Sequence, residues 1–315
     1  MSDSTYNILS LDGGGLRGLI TAVMLERLSL RYPALLDNVD LVVGTSTGGI
    51  LALALAKGLP PSDIKKMYLK QGEAIFNRSM LRRVGSLFSL TKAKYDNAGL
   101  RQALLGVFGN ACLSDLSKKV AVTAFDLDNN LAPARQKARC WAPKVFHNFQ
   151  GADSDGSRKV VDVALYTSAA PSFFPSVDGY IDGGVVANNP SMVALAQALD
   201  SRLLCQGAKS RELSRIRLLS VGTGVNLNHL EGQRHDWGVA EWAEPLLNIL
   251  LDGVSEVADF QCGQILRDNY CRLQVDLPRD VKIAMDDTSE MGRLCDLGSV
   301  QDLTYALSWL TSSQW

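Results

Sequence analysis

The sequence predicts an α/β fold, a mainly parallel central sheet sandwiched by helices, and three observations carry that prediction. Short apolar, β-rich runs alternate along the chain with helix-forming stretches. Two strand-to-helix junctions are glycine turns, one beginning at Asp12 and one at Gly44. No linker, internal repeat or low-complexity tract divides the 315 residues, so a single domain over 1–315 is expected.

The first strand is expected at 6–11, where Tyr6-Asn-Ile-Leu-Ser-Leu11 alternates and then meets three glycines, and the first helix at 17–31. A second strand at 40–43 runs through Gly44-Thr-Ser-Thr-Gly48 into a helix over 48–57 built from Ile50-Leu-Ala-Leu-Ala-Leu-Ala56. Further strands are expected near 119–125, 217–221 and 271–276, and helices over 98–107, 190–204 and 240–267. Asp178-Gly179, between Val177 and Tyr180-Ile181, reads as a hairpin turn. Residues 153–157 read as a polar loop and 278–290 as irregular chain.

Composition narrows the function. With 32 basic and 33 acidic residues the net charge is −1, which gives no general attraction to nucleic acid. Apolar runs such as 50–56 fall far short of the ~20 residues that cross a bilayer. The polar start Met-Ser-Asp-Ser-Thr lacks the regions of a signal peptide. Six cysteines without a Cys-x-x-Cys pair read as mostly buried thiols in a reducing cytoplasm, not as a metal or redox site.

The chemistry-bearing residues sit at the turns. Gly44-Thr-Ser46-Thr-Gly48 between a strand and a helix describes a nucleophile elbow, which makes Ser46 the candidate nucleophile. Gly13, Gly14 and Gly15 can turn several backbone N–H groups toward one point at a helix start, as an oxyanion requires. Gly13, Gly15 and Gly18 also fit a dinucleotide-binding spacing, but the second strand ends in Gly44 instead of an acidic residue. Asp182, after Tyr180-Ile181 and before Gly183-Gly184, is the candidate base.

Asp12-Gly-Gly-Gly-Leu-Arg-Gly18, Gly44-Thr-Ser-Thr-Gly48, Ser168-Ala-Ala-Pro-Ser-Phe-Phe-Pro175 and Asp182-Gly-Gly184, in that order, resemble the patatin-like phospholipases. Lys94-Tyr-Asp96 and 120–126 are similar to that family as well, and 218–224 and 236–238 resemble its soluble bacterial members. The resemblance implies an α/β-hydrolase-related fold, a Ser-Asp catalytic dyad of Ser46 and Asp182, and hydrolysis of fatty-acyl esters of glycerolipids without metal or cofactor. It implies Leu16 and Arg17 as support for the glycine loop or neighbours of an anionic substrate; otherwise Arg17 is a surface arginine at a helix start. It also allows activation by a small nucleotide, as in bacterial effectors.

Three alternatives stay open, the first a non-catalytic storage or interaction protein that keeps such a patatin-like shell. His229 or His235 follows Asp182 and could complete a conventional Ser-Asp-His set, although both lie in a polar stretch, while His147 beside Phe146 and Phe149 reads as structural. The segment 78–94 carries Arg78, Arg82, Arg83, Lys92 and Lys94 with no acid, and Leu81, Val84 and Phe88 at helical spacing. It reads either as a lid or peripheral lipid contact, or as a capping loop with solvated charges.

Overall fold

A computed structural model describes residues 5–75, 93–129, 139–199, 211–226, 230–232, 235–278 and 283–315. Its strands are β1 (Tyr6–Leu11), β2 (Leu41–Thr45), β3 (Lys119–Asp126), β4 (Ala142–His147), β5 (Tyr180–Asp182), β6 (Ile216–Val221), β7 (Val225–Asn226), β8 (Tyr270–Leu273) and β9 (Asp276–Leu277). The helices are α1 (Gly18–Arg31), α2 (Thr47–Ala56), α3 (Pro61–Ile75), α4 (Ala98–Phe108), α5 (Val160–Thr167), α6 (Gly184–Ala187), α7 (Ser191–Ala198), α8 (Val239–Leu266), α9 (Met291–Val300) and α10 (Thr304–Ser312).

Seven strands form one sheet in the order β4-β3-β2-β1-β6-β8, with β5 paired to β3, while β7 and β9 pair separately. β1, β2, β3, β6 and β8 are mutually parallel; β4 and β5 run antiparallel to β3. The period-2 alternation of strands explains two cores. Leu9, Leu11, Val42, Val120 and Val122 face one side, against α1, α2 and α5. Ile8, Leu41, Val43, Ala121 and Leu218 face the other, against Ala194 and Leu195 of α7 and Cys262 and Leu266 of α8. With both faces covered, the parallel strands read as nearly continuous apolar runs. Helix α2 is buried at all ten positions, as expected of a helix apolar on every side.

β3 acts as a ruler. β2 stops at Thr45, opposite Thr123, and β5 takes up the same side of β3 one residue later, with Asp182 opposite Ala124. Consecutive residues of β3 thereby set where Ser46 and Asp182 lie relative to each other. The turn that delivers β5 is the expected two-residue hairpin: Asp178 and Gly179 have φ of 50° and 84°, and Val177 and Tyr180 exchange hydrogen bonds of 3.0 and 2.8 Å.

Several expectations need correction. The strand at 271–276 is two strands, β8 and β9, because the chain leaves the main sheet at 274–275. The helix expected over 190–204 ends at Ala198, and 200–204 lie outside the described residues. Of the described cysteines only Cys262 and Cys271 are buried. No helix among the described residues is long and apolar enough to cross a membrane.

Candidate active site

Ser46 occupies the single residue between β2 and α2, with φ 54° and ψ −123°. Such backbone costs roughly 1–3 kcal/mol and persists only where its surroundings enforce it. Here the surroundings are close-packed backbone. A Cβ on Gly44 would collide with the Gly48 carbonyl oxygen, and one on Gly48 with the carbonyls of Leu11 and Asp12. The Ser46 N–H donates to Thr167 Oγ1 at 2.8 Å, and the Ser46 carbonyl accepts the first helical bond, from Ile50, at 3.0 Å.

The Ser46 hydroxyl donates to Asp182 Oδ2 at 2.6 Å. Asp182 ends β5, its Oδ1 accepts the Gly184 N–H at 2.7 Å, and its own N–H donates to the Ala169 carbonyl at 3.0 Å. The carboxyl is buried. Burial raises its pKa to about 6, against the opposing pull of the hydrogen bonds from Ser46 and Gly184. Each carboxylate oxygen therefore has one fixed partner, and the one facing Ser46 is placed to take a proton.

In the glycine loop the N–H of Gly13 donates to the Asn188 carbonyl at 2.9 Å and that of Leu16 to the Met285 carbonyl at 2.8 Å. No described partner accepts the N–H of Gly14 or Gly15. Both of these residues line the cleft that holds Ser46 and Asp182. Gly15 has φ 60°, a left-handed conformation that turns the chain into the 3-10 turn Gly15–Arg17.

Asp12, itself buried, carries the loop on an ion pair with the partly buried Arg272. Its oxygens accept from Arg272 Nη1 and Nη2 at 3.0 and 2.5 Å, and Arg272 Nη1 also reaches Ser220 Oγ at 2.8 Å. Arg17 is buried, and its Nε reaches the Gly14 carbonyl at 3.5 Å. Burial lowers its pKa, and the Asp252 carboxylate opposes that shift.

The cleft encloses about 1080 Å³ of free space, its open mouth included. Its walls are mostly apolar, with Leu16, Ile50, Leu104, Phe174, Leu251 and Met285 among the lining residues. Met285 is fixed by its neighbour Asp286, which binds Lys94 and the Tyr95 hydroxyl, the latter at 2.6 Å.

Other expected residues lie apart. His147 stacks on Phe149 with ring centroids 4.6 Å apart, and His235 packs against Trp237 at 4.6 Å; neither lines the cleft. His229 and the lipid-contact residues Leu81, Arg82, Arg83, Val84 and Phe88 lie outside the described residues. Sequence reasoning missed Thr167, Asn188, Arg272 and Met285. Only Arg272 carries a signal of its own, a lone charge inside the apolar run of β8.

A serine held on a strand-to-helix elbow and hydrogen-bonded directly to a carboxylate, on a mostly parallel sheet, defines the class as an α/β-hydrolase-related protein. The chain belongs to the patatin-like phospholipase family, whose family model matches residues 9–195. A Pseudomonas aeruginosa protein described as a cGAMP-activated phospholipase is 34% identical over 296 residues, covering 90% of this chain and 84% of that protein. Protein teg of Priestia megaterium is 29% identical over 332 residues, covering 97% and 98%. Among solved structures, VipD from Legionella pneumophila matches with a TM-score of 0.44 at 14% identity, over 96% of this chain and 66% of that one.

Proposed function

We propose that the protein is a serine-dependent lipid acyl hydrolase, of phospholipase A or lysophospholipase type, that forms an acyl-enzyme at Ser46. The observation that carries this reading is the 2.6 Å bond from Ser46 Oγ to the buried Asp182 carboxylate in the lining of an apolar cleft. Asp182 accepts the hydroxyl proton as Oγ attacks the ester carbonyl carbon. The resulting oxyanion accepts from the N–H groups of Gly14 and Gly15, since those of Gly13 and Leu16 are already bonded. The carbonyl then re-forms, the carbon–oxygen bond to the leaving alcohol breaks, and Asp182 returns the proton to that oxygen. Water repeats the cycle: Asp182 takes its proton, the hydroxyl adds to the acyl carbon, and Ser46 leaves with the proton restored.

The lining of the cleft suits an acyl chain, and the family membership favours a glycerolipid, above all a phospholipid. We assign the whole span 1–315 to one catalytic domain acting in the cytoplasm with transient membrane contact. The P. aeruginosa relative is described by its activation by cGAMP, and we extend to this chain a requirement for a small nucleotide activator. Defined phospholipids and neutral glycerides, with and without a cyclic dinucleotide, should be incubated with wild type, Ser46→Ala, Asp182→Asn and the double variant, and products followed by mass spectrometry. Each single variant should lose most hydrolysis, with the double little worse, because the pair acts as a unit. Residual activity in Ser46→Ala equal to wild type would remove Ser46 from the mechanism.

A further inference from the structure

Helix α8 faces two ways. Toward the body of the protein it buries Ser255, Ala258, Cys262 and Leu266, and it places Leu251 in the wall of the cleft. Ser255 Oγ accepts from Asn188 Nδ2 at 3.0 Å, which fastens the helix to the segment whose carbonyl holds the Gly13 N–H. On its outer side α8 shows Val239, Leu246, Ile249, Leu250, Val257 and Phe260, with Leu250 and Val257 each 55% exposed and Phe260 67%. At 3.6 residues per turn these six fall within about 100° of the circumference and run for about 30 Å.

The helix contains no lysine or arginine. Two of its acids are directed into the protein: Asp259 accepts the Tyr270 hydroxyl at 2.6 Å, and Asp252 lies in the field of the buried Arg17. The six stripe residues themselves are apolar and uncharged, with the exposed Glu256 flanking one edge.

We propose that this stripe is the face on which the protein lies against a zwitterionic phospholipid surface, an inference that rests on the lipid-hydrolase reading above. Leu250 and Leu251 are consecutive residues, the first on the exposed stripe and the second in the cleft wall. An acyl chain drawn from a bilayer under the stripe enters the cleft beside this pair. A second copy of the chain seated on the same stripe would cover Leu250 and stand across that path, which decides between the two occupants. At the start of α8, Trp237 and Trp242 pack with ring centroids 5.0 Å apart, and Trp237 is exposed. Indole rings favour the boundary between headgroups and acyl chains. Because the stripe has no basic group, its attachment depends on apolar insertion and not on screened charge.

The test uses the full chain, phosphatidylcholine vesicles at about 0.1 and 0.5 M salt, which spans strong screening, and a soluble short-chain ester. Wild type should sediment with the vesicles equally at both salt concentrations. A variant carrying Leu246→Ser, Val257→Ser and Phe260→Ser should lose about tenfold or more in vesicle binding and bilayer hydrolysis, roughly 1.4 kcal/mol. It should keep its short-chain ester rate within about twofold; Phe260→Ser alone, a milder change, should move in the same direction. Unchanged vesicle binding by the triple variant overturns the proposal, as does a shift from dimer to monomer in light scattering with vesicle binding intact, which would give the stripe to a second copy. Absence of ester hydrolysis by wild type would instead count against the hydrolase reading, while the sedimentation arm still tests the stripe.

Discussion

Burial holds the Asp182 carboxyl at about 6 in the folded protein, above the value of about 3.9 for a free aspartate. Rates carried by its ionised form should therefore climb with pH and level off above about pH 7. A kcat/KM profile for a soluble ester with an apparent pKa near 6 is expected; a profile flat down to pH 4 would exclude Asp182 as the base. The same shift opposes folding. A carboxyl whose folded pKa is raised contributes stability that is present below about pH 4 and lost as pH rises through 6. At about 1.4 kcal/mol per pKa unit, ionised Asp182 costs the native state up to about 3 kcal/mol at neutral pH. Asp182→Asn should then raise the midpoint of thermal unfolding at pH 8 and leave it nearly unchanged at pH 3.5, measured by calorimetry. The candidates Ser46 and Asp182 were legible in the sequence because the roles proposed for them demand particular residue types beside glycines. Thr167 and Asn188 were not, because what they supply is one hydroxyl and one backbone carbonyl, groups that many residue types could offer.

At the scale of elements, the elbow depends on how closely α2 approaches β1 and β2. Gly44→Ala places a methyl against the Gly48 carbonyl, so the strand must move away from the helix and Ser46 with it. Turnover should fall by about a hundredfold or more with Ser46 still present, since an ångström of misplacement costs about that much. Labelling by a fluorophosphonate should slow in parallel. Thr167→Val leaves the buried Ser46 N–H without its acceptor at a cost of about 1–3 kcal/mol, read as a lower denaturant midpoint. The parallel strands could be foreseen because burial on both faces makes them largely apolar. The antiparallel pairings with β3 could not: β4 carries Pro143 and Lys144 and is half exposed, and β5, though its hairpin turn is legible, has only three residues, too few for any periodicity. What positions Asp182 is thus the pairing of β5 with β3, a register that only the folded sheet defines.

Across the whole molecule, the glycine loop is secured by partners far away in the chain. Asp12 and Arg272 are 260 residues apart, the buried Asp12 just past β1 and the partly buried Arg272 within β8, with β6 between the two strands. Arg272→Met strands a buried carboxylate and should cost about 3–5 kcal/mol in chemical denaturation, whereas combining it with Asp12→Asn should restore a large part of that loss. Additive losses in the double variant would show that the two side chains act independently. No local pattern announces such a pairing, which is why the first 190 residues disclosed the candidate pair Ser46 and Asp182 but not what braces the loop beside it. The separation has a further meaning during protein synthesis. Ser46 leaves the ribosome 136 residues ahead of Asp182, roughly 7 to 27 seconds at ordinary elongation rates, and Arg272 and Met285 follow later still. A nascent chain thus carries the proposed nucleophile without its proposed base or its braced glycine loop, so the proposed chemistry is withheld until nearly the whole chain has been made.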